Sequence, residues 1–159
     1  ARSLLVERLA LAAELADNYR VRLAFEPLHP MVCGFRSIVS TLQESLDILD
    51  QMDDSHDIGL AIDTYALWWE HDLQEKLKRA GRRILNYHVS DWLADTRDLR
   101  LDRGMPGDGQ IALCDWRHMI EAAGYFGPIE VEIFSRARWW KTPAEKMIEE
   151  IIQRMNSAF

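Results

Sequence analysis

Four short apolar runs, each closing on a polar side chain, set the pattern of this chain. Residues 22–25 close on Glu26, residues 58–62 on Asp63, residues 84–87 on His88 and residues 128–131 on Glu132. Runs this short, bounded by proline, glycine or polar clusters, read as strands with one functional side chain at each C-terminal tip. The first run is followed at once by Pro27 and Pro30, which forbid regular structure. It reads as a strand buried along its length.

Longer stretches of helical period lie between and around these runs. Leu4, Leu5, Leu9, Ala12, Leu15 and Ala16 recur at helical spacing over residues 1–18. A capping box at Thr41 and Glu44 starts a second helix, whose apolar face is Leu42, Leu46, Ile48, Leu49 and Met52. Residues 53–57 form a polar break. Residues 64–72, with the pair Trp68 and Trp69, read as a loop, and residues 73–80 as a helix stopped by Gly81. Residues 89–113 are a long irregular stretch, a length that usually signals function. Asp115 is expected to cap the next helix, which ends at Gly124. A last helix runs from about residue 143 to about residue 155, after a loop carrying Trp139 and Trp140.

Strands alternating with helices imply an α/β fold with parallel strands and right-handed crossovers. The tips at 26, 63, 88 and 132 are 37, 25 and 44 residues apart. A (β/α)₈ TIM barrel spends roughly 31 residues per unit, from about 250 over eight. Residues 1–159 therefore read as one domain of about half a barrel, with four parallel strands. A small doubly wound sheet is the alternative. The barrel is preferred because all four polar tips fall at strand C-termini, where barrel enzymes build their sites. Four strands without closure leave two open edges and an expected apolar inner face, so a homodimer or a missing N-terminal half of the barrel is an expected partner. The chain begins with Ala1, inside a helical pattern, which suggests a piece of something longer.

Composition narrows the function classes. A formal charge of −7 argues against nucleic acid as the main partner. No apolar run is long enough to span a membrane, and the acidic first helix is no secretory signal. Cys33 and Cys114 stand far apart in no metal-like spacing, so a reduced, cytoplasmic setting is the default.

Two glutamates, an aspartate and a histidine at neighbouring strand ends make a donor set for one divalent ion, and oxygen plus imidazole suits Mn, Mg, Co or Zn. Each residue alone has a bland reading: surface acids at strand ends and a satisfied core histidine. Their shared position is what favours the metal, because unpaired acids clustered at neighbouring strand ends would otherwise repel. Glu130 competes with Glu132, since both point to one face of the strand, and Glu132 is preferred as nearer the tip. His29, Asp91 and Arg103 are candidate substrate contacts, each with a solvated or turn-capping alternative. Trp68 and Trp69 are candidates for a stacking wall, or for packing against each other.

Five segments carry a resemblance: residues 23–30, residues 62–65 with Trp68 and Trp69, residues 88–92, the glycine-rich residues 102–109, and residues 127–134. Together they resemble the sugar phosphate isomerase/epimerase group of the xylose isomerase-like barrel superfamily, related to family 2 AP endonucleases, and they correspond to its fifth to eighth strands. The resemblance implies a metal held by Glu26, Asp63, His88 and Glu132, with Glu26 and Glu132 also serving as the acid/base pair. The family often places a histidine where this chain has Ala66, and the endonucleases place another where it has Gly104. Both departures weigh against a trinuclear zinc site and against DNA cleavage. The expected activity is metal-dependent isomerisation or epimerisation of a small sugar or sugar phosphate through an enediolate. The alternatives are a lyase or dehydratase on the same metal site, and a non-catalytic half-barrel assembly module.

Overall fold

The computed structural model describes residues 1–53 and 57–158. The central residues of the polar break read at 53–57 lie outside the described residues. The elements run α1 (Arg2–Tyr19), β1 (Leu23–Phe25), α2 (Leu42–Leu49), β2 (Ile58–Asp63), α3 (Thr64–Leu67), α4 (Leu73–Ala80), β3 (Ile84–Val89), α5 (Leu113–Ala122), β4 (Ile129–Val131) and α6 (Ala144–Ala158). The four strands are all parallel and lie in sequence order, β1-β2-β3-β4. Sequential order is the arrangement of a barrel wall. A doubly wound sheet reverses its order at a switch point. Among the described residues, no helix is long and apolar enough to cross a membrane.

One face of the sheet packs on the helices. Leu60, Ile62, Tyr87 and Val89 are buried there with Leu42 and Leu46 of α2, Leu77 of α4, and Trp116 and Ile120 of α5. At roughly 25 cal/mol per Å² of apolar surface, this one-sided core is the main stabilising term. Alternation sends the neighbouring residues to the other face. The registers align Ala24 with Gly59, Ala61 with Asn86, Asp63 with His88 and His88 with Glu130. That face is small and polar, so the apolar inner face expected from the sequence is not there. Uncovered apolar side chains stand instead on flanking helices, among them Leu4, Leu11 and Leu15 of α1 and Ile148 and Ile152 of α6, and on loops, as at Phe35 and Phe126. Gly59 is required by close packing, because a Cβ there would sit 2.2 Å from the Arg83 carbonyl oxygen.

Several local expectations are corrected. β1 is not buried along its length: Leu23 and Phe25 are half-buried and Ala24 is exposed. It is an edge strand, with a neighbour on one side only. Residues 64–67 are helical rather than loop, because the Asp63 carboxylate caps the turn by accepting from the Tyr65 N–H at 2.9 Å. Asp115 does not cap α5. The helix begins at Leu113, which is pulled into the core with Trp116 and Ile120, and Asp115 falls in the first turn, where its charge suits the helix dipole. The Thr41 cap is found as expected, its side chain accepting from the Glu44 N–H at 3.0 Å. α4 spans the expected residues 73–80 and stops at Gly81, which takes a positive φ of 52°.

Candidate metal centre and pocket

The C-terminal ends of the strands converge on one pocket. Glu26 follows β1, Asp63 ends β2, His88 lies one residue inside β3 and Glu132 follows β4. The Glu132 N–H still donates to the Val89 carbonyl at 3.0 Å, which carries the ladder one residue past β4. Glu26, Asp63 and Glu132 line the pocket together with His29, Ala66, Tyr65, Trp92, Arg103 and Phe134. The donor atoms of Glu26, His88 and Glu132 lie within 4.8 Å of one another.

Three observations test whether these residues fit a divalent ion. Both ring nitrogens of His88 are buried without a hydrogen-bond partner, although such groups are nearly always satisfied. Glu130 Oε2 stands 3.3 Å from His88 Nε2 but is not aligned for a hydrogen bond, and its side chain is 60% exposed. Glu26 is the third sign. Its pKa is pushed up from 4.5 to about 7, first by burial and then by the charges of Asp63 and Glu132. A histidine without a partner beside a carboxylate pushed toward its protonated form is the donor set an ion would complete. The residues fit the metal.

Asp63 has other duties here. Its Oδ1 caps α3, and its Oδ2 accepts from Arg103 Nη1 at 2.9 Å. The same Arg103 nitrogen donates to Glu132 Oε2 at 2.8 Å and to Ser90 Oγ at 3.3 Å. The guanidinium lies over the Tyr65 ring at 4.5 Å and the Phe134 ring at 5.1 Å. Arg103 is thus a half-buried cation held between two aromatic rings and two carboxylates, and it lowers the repulsion among the acidic tips.

His29 lines the pocket, stacked on Trp92 with ring centroids 4.8 Å apart. Its Nδ1 accepts from the Met31 N–H at 3.2 Å. That bond fixes the neutral tautomer, leaving Nε2–H as a donor. Burial lowers the pKa of His29, which favours the neutral form.

Asp91 is not among the residues that line the pocket. It is buried, and its carboxylate is saturated by the Trp92 and Ile111 N–H groups on Oδ1 and by Gly107 and Gly109 on Oδ2, at 2.8–3.0 Å. It is the hub on which the glycine-rich loop folds. Gly109 must be glycine for that, since a Cβ would meet the Trp92 carbonyl oxygen at 2.2 Å and Asp91 Oδ1 at 2.5 Å. Trp68 and Trp69 stand behind the wall rather than on it. Trp68 packs on Trp92 at 5.5 Å, and Trp69 meets His29 edge-on at 6.0 Å while its Nε1 donates to the Ala66 carbonyl. The aromatic wall is Tyr65, Trp92 and Phe134. Trp92 was findable as the aromatic four residues after His88. Tyr65 and Phe134 each follow a tip by two residues, Asp63 and Glu132.

A family model for the xylose isomerase-like TIM barrel matches residues 1–158. No curated protein matches the chain. Among solved structures, a protein from Sinorhizobium meliloti 1021 superposes with a TM-score of 0.93 at 44% identity, over 99% of this chain and 57% of that one. The IolI protein with a zinc atom gives a TM-score of 0.82 at 24% identity, over 99% and 55%. An L-ribulose 3-epimerase gives 0.74 at 20% identity, over 96% and 52%. The chain spans about half the length of the solved structures it matches.

Proposed function

This chain belongs to the xylose isomerase-like TIM-barrel family, and on that premise we propose that it carries the metal-binding and acid/base half of an isomerase or epimerase acting on a small sugar or sugar phosphate. The observation that carries this reading is the pair Glu26 and Glu132, set at the ends of the first and fourth strands on one pocket, with donor atoms within 4.8 Å of each other and of His88. The zinc atom on the IolI protein and the shared fold of an epimerase agree with it.

Glu26, His88 and Glu132 would hold the ion, with Asp63 joining them if its bond to Arg103 is given up. A bound divalent ion supplies Lewis-acid stabilisation of negative charge on the substrate's carbonyl and hydroxyl oxygens. Glu26 takes the proton from the carbon beside the carbonyl, giving an enediolate. Glu132 returns a proton from the other side of the pocket. His29, neutral with its proton on Nε2, donates a hydrogen bond to a substrate oxygen without competing as a base. Tyr65, Trp92 and Phe134 exclude water and keep the carboxylates basic.

The test is exchange of the substrate's C–H for solvent deuterium, followed by NMR in a screen of ketoses and aldoses with Mn²⁺ present. Exchange lost in both Glu26→Gln and Glu132→Gln, with Mn²⁺ still bound, supports the two-glutamate mechanism. Full exchange in either variant overturns it.

A further inference from the structure

Two arginines at this pocket have no duty in the scheme above. Arg36 and Arg100 are exposed and line its mouth, while the three carboxylates line its floor. Several arginines elsewhere on the surface meet a carboxylate, Arg79, Arg83, Arg138 and Arg154 among them. Arg36 and Arg100 form no ion pair among the described residues, in a chain whose 26 acidic side chains outnumber its 19 Lys and Arg. Of the two acids nearest Arg100 in sequence, Asp98 accepts from the Arg100 and Leu101 backbone N–H groups at 2.9 and 3.0 Å, and Asp102 accepts from the Arg97 N–H and from Arg138.

Both arginines ride on loops pinned by hydrogen bonds. The loop after β1 is closed by the Gly34 N–H on the Ser37 carbonyl at 2.7 Å and the Leu28 N–H on the Val39 carbonyl at 3.2 Å. Arg36 lies inside both closures, and the Asp98 turn presents Arg100 from the loop after β3. Two cations from different loops are thus held toward one cavity, which limits the entropy lost when they clamp a ligand.

Charge balance says what that ligand is. The pocket is lined by Glu26, Asp63 and Glu132 against Arg36, Arg100 and Arg103, so three negative side chains face three positive ones. A divalent ion on the floor leaves the loaded pocket positive by about two charges. A neutral sugar leaves that excess unmatched, and an anionic one cancels it.

We propose that the site selects an anionic substrate, with its carboxylate or phosphate held by Arg36 and Arg100 at the mouth while its carbonyl end lies on the floor. This rests on the isomerase/epimerase reading and adds to it a charge class and two binding residues. Guanidinium groups suit both anions, because each presents paired oxygens to a planar fork of donors.

The experiment is calorimetric binding to the Mn²⁺-loaded chain of two matched pairs, D-fructose 6-phosphate against D-fructose and D-glucuronate against D-glucose. It is run on the wild type, Arg36→Ala, Arg100→Ala and the double variant, with Mn²⁺ affinity measured on each to show an intact floor. The charged member of at least one pair binds more tightly, that preference falls about tenfold per arginine removed, and it weakens with added salt. The pair that shows it tells phosphate from carboxylate. Equal binding within both pairs, or a preference that survives the double variant, overturns the anionic clamp while leaving the metal-dependent sugar reading standing. No binding of any of the four removes the sugar reading itself, and the clamp with it.

Discussion

Replacing Glu26 by glutamine should flatten the pH dependence of stability in the metal-free protein. Glu26 titrates at about 7 in the fold and at 4.5 ordinarily. Between those values the folded state holds a proton that the unfolded chain has released, so stability falls as pH rises through this window. The contribution is fully present below pH 4.5 and lost above about 7. Over that interval, at about 1.4 kcal/mol per pH unit, the loss comes to about 3 kcal/mol, a large share of the 5–15 kcal/mol typical of a domain. Glu26→Gln keeps the shape and removes the charge. Urea unfolding of both proteins with EDTA, at pH 4.5 and pH 8, should show the wild type losing about 3 kcal/mol more than the variant between the two conditions. Saturating Mn²⁺ should abolish the difference in pH dependence, because the ion replaces the proton as partner of the carboxylate. Parallel pH profiles for wild type and variant in EDTA would refute the reasoning, since Glu26 would then carry no more strain than a surface acid.

Arg103→Gln should raise Mn²⁺ affinity about tenfold, because the guanidinium competes with the ion for Asp63 and Glu132. An affinity that drops instead would show that Arg103 positions the carboxylates rather than competing for them. Asp91→Ala strands four backbone N–H groups and should cost about 3 kcal/mol or more in thermal or urea unfolding. A loss under about 1 kcal/mol would remove Asp91 as the hub of the glycine-rich loop.

The architecture was legible because hydrophobic period and turn residues agree along most of the chain. Four apolar runs with polar tips are enough to place parallel strands and the site at one end of them. Tertiary placement was not legible. Asp91 sits three residues after His88, inside the segment that resembles a substrate site, and nothing local says that its oxygens turn to Gly107, Gly109 and Ile111. The glycine spacing was the available signal, since a run of glycines with free N–H groups calls for an acceptor. The placement of Trp68 and Trp69 outside the pocket lining was hidden for a similar reason. Asp63 starts a helix immediately, and that turn carries the tryptophans behind His29 and Trp92. The apolar runs do not tell which strands are edges. β2 is buried from Gly59 to Asp63, while Ala24 and Glu130 are exposed on the edge strands.

The central claim is that Glu26, His88 and Glu132 form one divalent-ion site at the strand ends. The most direct measurement is a calorimetric Mn²⁺ titration of the purified chain beside its His88→Ala variant, each checked for folding by circular dichroism. One ion bound per chain, with affinity lost at least about 100-fold in the folded variant, is the predicted result. A folded wild type that binds no Mn²⁺, or a variant that binds it as well as the wild type, would contradict the account.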